Sequence, residues 1–182
     1  MDRSRVLQRF ERWGVHLPTR YGQVVGKHLK LHEARALLGS RRLEGLWSFT
    51  FVRNTWDWLV SIYHYILKDR YHPDHAYVSS LGSFEKFLQW YLEAGKYEFQ
   101  SDFILNEDGA VGVDYVARFD HLAEECLFIG ERLGLPLSTL PHHNVSARRR
   151  DYRSYYSDTL AARVARIFES DINRFGFRFD PE

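Results

Sequence analysis

Directly after Arg53, the residues Asn54, Asp57, Trp58, Ser61 and His64 recur at spacings of three or four. On a helix such residues share one face. Arg53 is a permanent cation whose planar fork fits two oxygens of one phosphate or carboxylate. Ser61 is a small hydroxyl among apolar neighbours, which a hydrogen bond to the same anion would explain. The chemistry this set suggests is local anion binding, with His64, one turn beyond Ser61, in place to accept a proton. A plainer arrangement satisfies the same pattern: Arg53 pairs with a nearby carboxylate, and Ser61 bonds back to its own helix.

The elements that must position these residues are legible. Residues 47–53, WSFTFVR, alternate and are rich in β-formers, which predicts a strand. Asn54 suits an N-cap and Asp57 stands at the capping-box position three residues on. The helix that follows runs through Trp56, Leu59, Val60, Tyr63 and Leu67 to about residue 69. A strand therefore ends in Arg53 and a helix begins at once. Ligands of open α/β sheets bind beyond the carboxyl ends of strands. The free N–H groups and dipole of a helix start favour anions there.

Elsewhere the spacing predicts an amphipathic helix over residues 3–13, a turn-rich stretch over 14–28, and a helix from Leu31 to Leu38 stopped by Gly39. Residues 70–82, with Pro73 and nearby histidines, read as a mobile loop. Ser83 caps a helix through Phe84, Phe87, Leu88, Tyr91 and Leu92 that ends at Gly95. A short strand is expected over 103–105, a turn over 106–109, and a further strand from Val113 to Phe119. Asp120 opens a helix with Leu122, Cys126, Ile129 and Leu133 on one side, stopped by Gly134. A polar, basic loop fills 136–153. One last helix, from about Ser157 to Phe175, turns Leu160, Val164, Ile167, Phe168 and Ile172 inward. Strands alternating with helices predict a helix-rich α/β protein, a small parallel sheet flanked by helices, in a single domain over 1–182.

Composition narrows the function classes. With 45% hydrophobic and 16% aromatic residues the chain has ample material for a packed core. Lys and Arg number 25 against 24 Asp and Glu, a net charge of +1, so no field gathers nucleic acid or an anionic membrane. One cysteine, Cys126, rules out an internal disulfide and a cysteine-based zinc site. No run of about 18 apolar residues is present, so no transmembrane segment is expected. The charged start MDRSRVLQRFERWG has no signal-peptide apolar region, and the expectation is a soluble chain. His72, His75, His142 and His143 lack metal-ligand spacing, and no metal is assigned. The basic run 148–153, RRRDYR, reads first as a solvated loop.

Phe51-Val-Arg-Asn-Thr-Trp-Asp-Trp-Leu-Val-Ser61, followed by Tyr63, resembles the 3′-phosphate-binding motif of the Golgi-type carbohydrate sulfotransferases and their bacterial relatives. The usual form there is Phe-Val-Arg-(Asn or Asp)-Pro-Trp-(Asp or Glu)-Arg-Leu-Val-Ser-x-Tyr. Further stretches are similar in order and spacing: Gly26-Lys-His28, Gln100-Ser-Asp-Phe103, Val113-Asp-Tyr-Val-Ala-Arg-Phe119, Leu140-Pro-His-His-Asn144, Tyr155-Tyr156, and the run from Asp171 to Phe177. The likeness spans about residues 22–180.

The resemblance implies a P-loop-NTPase-like sulfotransferase fold. It implies transfer of a sulfuryl group from 3′-phosphoadenosine 5′-phosphosulfate to a hydroxyl of a carbohydrate or small-molecule acceptor, without a metal. Arg53 and Ser61 would hold the 3′-phosphate, Arg149 or Arg150 would reach a phosphate, and Tyr155 would pack on the base. The proton acceptor would be His64 or His28, with Glu33 or Asp57 as carboxylate alternatives. Three departures stand out. Thr55 replaces the usual Pro, Trp58 replaces the usual Arg, and no loop like Pro-Lys-x-Gly-x-Thr-Ser precedes Lys27. In the family that loop cradles the 5′-phosphosulfate, so the resemblance implies a domain truncated at its N-terminus. Alternatives are a non-catalytic member that binds nucleotide or glycan, and a protein–protein interaction module. The implied compartment is the cytoplasm, as for bacterial members, or the Golgi lumen if an anchor precedes this sequence.

Overall fold

The computed structural model describes residues 30–38, 45–95, 97–135 and 151–180. The helix and turns expected over 3–28, the stop at Gly39 and the loop 136–150 lie outside the described residues. So do Lys27, His28, Arg149, Arg150, His142 and His143. The chain groups into two compact units, one formed by Met1–Trp47 with Asp102–Gly112 and the other by Ser48–Ser101 with Val113–Glu182.

In the first unit, helix α1 spans Leu31–Leu38 as its spacing predicts. The Lys30 N–H donates to Glu33 Oε2 at 2.8 Å, satisfying a donor left over at the helix start. Residues 106–109 form the expected turn, closed by Gly109 N–H to the Asn106 carbonyl at 3.0 Å. The strand expected over 103–105 does not form. Ser101–Phe103 is a 3-10 turn, and Leu105 makes only a single antiparallel bridge to Val111. A Cβ at Gly112 would collide with the side chains of Asn106 and Leu31, so any larger residue here requires those side chains to shift.

The second unit holds a parallel pair of strands, β1 (Phe49–Val52) and β2 (Tyr115–Arg118), in the register Phe49↔Tyr115 to Val52↔Arg118. Both are shorter than the alternation suggested. The pair is opened by Ser48, whose N–H and Oγ–H donate to Asp114 Oδ2 at 2.7 and 2.6 Å. These bonds hold the Asp114 carboxyl below its usual range. Helix-rich with a small parallel sheet, the chain has the α/β character its pattern predicts.

Helix α2 (Thr55–Lys68) follows β1 after two residues and forms the centre of the core. Trp56, Leu59, Val60 and Tyr63 are buried along one stripe as expected, and Ile66 rather than the expected Leu67 completes it, Leu67 being only partly buried. Asn54 is the N-cap, its Oδ1 accepting from Trp56 N–H at 3.1 Å. Helix α3 (His75–Leu81) occupies the stretch read as a loop. Seven residues are too few for a clear period, yet Val78 is fully buried, and Gly82 ends the helix at φ +72. Helix α4 (Phe84–Glu93) starts at Ser83, whose Oγ accepts from Lys86 N–H at 3.3 Å. It adds the buried Phe84, Phe87, Leu88 and Leu92 to the core.

Helix α5 (Leu122–Leu133) enters through a 3-10 turn over Phe119–His121 and ends on Gly134 in the left-handed region. Cys126 is buried on it, and burial raises its thiol pKa. The single last helix expected from the sequence is two: α6 (Asp158–Ile167) and α7 (Glu169–Phe175). Phe168 leaves helical dihedrals at φ −100 and ψ 23, although its ring is fully buried. A well-packed Phe fixes the chain there without a Gly or Pro to announce the break. Among the described residues no helix is long and apolar enough to cross a membrane.

Candidate functional site

The junction between β1 and α2 brings Arg53 and Ser61 together. Arg53 lies one residue past the last pair of the ladder, and its Nη1 donates to Ser61 Oγ at 3.0 Å. Its Nε donates to Asp57 Oδ2, an ion pair across one helical turn. Both side chains are largely buried, at 17% and 16% exposure, so water screens this pair less than a surface one. The two arrangements left open by the sequence thus coexist: the cation pairs with a carboxylate, and it also touches the hydroxyl eight residues on.

Strand register supplies the third partner. Since Val52 pairs with Arg118, the next residues, Arg53 and Phe119, emerge side by side at the carboxyl ends of parallel strands. The Phe119 ring centroid lies 4.4 Å from Arg53 Cζ, within cation–π range. Phe119 is itself 38% exposed, and its ring covers this face of the guanidinium. Phe119 had no predicted role, although the ends of the two predicted strands already implied the pairing.

The backbone of Arg53 is held as firmly as its side chain. Gln100 Oε1 accepts from the Arg53 N–H and Gln100 Nε2 donates to the Arg53 carbonyl, each at 2.8 Å. Asp171, fully buried on α7, accepts from the Gln100 N–H at 2.6 Å, the Ser101 N–H at 3.2 Å, and the Ser101 hydroxyl. Neither role was read from the sequence. The available signal was a carboxylate on the inward stripe Val164, Phe168, Asp171, since a buried carboxylate requires donors.

His64 and Tyr155 meet each other. His64 Nε2 and Tyr155 Oη are 2.9 Å apart, and their rings make an edge contact at 5.5 Å. Tyr155 also lies edge-on to Phe84 at 5.4 Å. Trp58 packs edge-on to Phe168 at 6.3 Å, at the margin of the core cluster. Glu33 is engaged by the start of its own helix. Behind the junction, Asn54 Nδ2 donates to the Arg178 carbonyl at 2.8 Å, and Tyr152 Oη donates to the Phe179 carbonyl at 2.6 Å. The segment after α7 is thereby tied to the cap of α2.

Comparison with protein-family models, curated proteins and solved structures finds no match. The functional reading therefore rests on the chemistry of these side chains and the resemblance of their motif. Arg53 and Ser61 offer a phosphate a charge-assisted donor and a rotatable hydroxyl within 3.0 Å of each other. The Arg53–Asp57 pair is neutral by itself, so an arriving anion competes with Asp57 for the guanidinium. Among the described residues no group of three or more His, Cys, Asp or Glu could hold a metal ion.

Proposed function

We propose that the β1–α2 junction binds the 3′-phosphate of a nucleotide, and that the protein is a sulfotransferase using 3′-phosphoadenosine 5′-phosphosulfate. The acceptor would be a hydroxyl of a carbohydrate or small molecule. The observation that carries the reading is the 3.0 Å contact between Arg53 Nη1 and Ser61 Oγ at the carboxyl end of a parallel strand. The two residues match, at the same separation, the positions that hold the 3′-phosphate in the sulfotransferases the motif resembles.

In this reading Arg53 and Ser61 bind and orient the nucleotide, Asp57 holds the guanidinium through Nε, and Phe119 packs against its face. The co-substrate supplies the activated sulfuryl group. Of the two candidate histidines for proton acceptor, His64 is the one among the described residues, its ring in contact with Tyr155. A P-loop-NTPase-like arrangement and the cytoplasmic compartment of bacterial members belong to the same proposal.

A second reading, nucleotide binding without turnover, is favoured by one observation. His64 and Asp57, two of the candidate bases, are engaged by Tyr155 and Arg53. Incubation with sulfur-labelled co-substrate and a panel of sugars and small alcohols separates the two. Label transfer that is lost in Arg53→Ala supports the enzyme. Binding of adenosine 3′,5′-bisphosphate with no transfer to any acceptor supports the second reading. The absence of both contradicts both.

A further inference from the structure

Gln100 takes the place of a strand at the end of β1. The ladder with β2 stops at Val52↔Arg118, so the Arg53 peptide groups lie beyond it. The Gln100 side chain supplies both missing partners at 2.8 Å, accepting from the N–H and donating to the carbonyl. The amide orientation is fixed by this chemistry, because its reversal would set donor against donor. Gln100 is in turn anchored through its own N–H to Asp171, which has no solvent exposure and also gathers both donors of Ser101.

We propose that Gln100 is a positioning residue for the 3′-phosphate site, with Asp171 as its anchor. The clamp holds the φ and ψ of Arg53, and so the direction in which the guanidinium leaves the strand end. A misplacement of about 1 Å is enough to cost a positioned group most of its effect. The inference rests on reading the junction as a 3′-phosphate site, and predicts a specific loss of preference for ligands that carry that phosphate.

The test is Gln100→Glu, titrated calorimetrically with adenosine 3′,5′-bisphosphate and with adenosine 5′-monophosphate at about pH 8 and about pH 5. An ionised Glu sets an oxygen against the Arg53 carbonyl, a clash that disfavours the charged form and raises its carboxyl pKa, whereas a protonated Glu donates there and rebuilds both bonds. The expected preference for the bisphosphate falls about tenfold below wild type at the higher pH, and recovers to within about threefold at the lower. Gln100→Met, similar in length and uncharged, loses the preference at both. A merely structural role would weaken both nucleotides together and leave the preference unmoved. Unchanged preference in both variants overturns the positioning role alone. A wild type that binds both nucleotides equally overturns the underlying reading, and this inference with it.

Discussion

Arg53 Nη1 meets Ser61 Oγ at 3.0 Å, tying the cation at the end of β1 to a hydroxyl in the second turn of α2. The contact follows from the absence of any loop between strand and helix. With only Arg53 and Asn54 between the elements, the arginine side chain lies along the first turns of the helix it precedes. It passes Asp57 on the way, which takes Nε.

Ser61→Ala removes the hydroxyl and leaves the ion pair. Affinity for adenosine 3′,5′-bisphosphate is expected to fall about three- to tenfold, while affinity for the 5′-monophosphate stays within a factor of about two. Calorimetric titration of both nucleotides checks this. Equal losses for the two would place Ser61 outside the 3′-phosphate site.

Asp57→Asn keeps an oxygen that can accept from Arg53 Nε but discards the competing charge. Bisphosphate affinity is expected to rise several-fold. Stability is expected to fall by about 1–2 kcal/mol, because a largely buried cation loses its carboxylate. Binding and urea unfolding of the same sample measure the two effects. Weaker nucleotide binding in this variant would mean that Asp57 orients Arg53 more than it competes.

Thr55→Pro is expected to stabilise the protein. Thr55 is fully buried, and among the described residues its Oγ1 has no partner, so the hydroxyl contributes a desolvation cost. Asn54 already has ψ 125, the extended value that a following proline requires, and Thr55 is the first helical residue. A gain of about 0.5–1 kcal/mol in urea unfolding is expected. A loss would mean that the Thr55 methyl group packs better than a ring can.

The sequence made this junction legible because its signals are local. Asn54, Ser83 and Gly134 act as caps and stops through neighbours a few residues away, and each does so in the structure. What was not legible depends on partners far along the chain. Gln100 reaches Arg53 across 47 residues and Asp171 reaches Gln100 across 71, and no spacing rule encodes either. Helix α3 was hidden because one buried residue, Val78, makes no period, and the break at Phe168 because nothing but packing marks it. The choice between an ion pair and a hydroxyl contact for Arg53 was open because one guanidinium can make both.

Alkaline pH tests the packing beneath the junction. Tyr156 donates to the Trp56 carbonyl at 2.8 Å, and burial, first, with the charge of Asp57, raises its pKa well above the ordinary value. Burial likewise lifts Tyr152 to about 12. As pH rises past about 10, the unfolded chain releases these protons before the folded one does. Stability is therefore intact below about pH 10 and declines toward pH 12 and beyond. Tyr156→Phe is expected to cost about 1 kcal/mol at neutral pH, from the lost hydrogen bond, and to show a shallower alkaline decline. Urea midpoints across that range decide it, and parallel declines would contradict the burial argument.

The most direct measurement is calorimetric titration of adenosine 3′,5′-bisphosphate and adenosine 5′-monophosphate into wild type and Arg53→Ala. Wild type is expected to prefer the bisphosphate. The variant should lose about 2–3 kcal/mol of that preference, the value of a hydrogen bond to a charged group with its Coulombic share. The Arg53–Ser61 junction is not a 3′-phosphate site if wild type binds both nucleotides equally, or if Arg53→Ala, still folded, keeps the full preference.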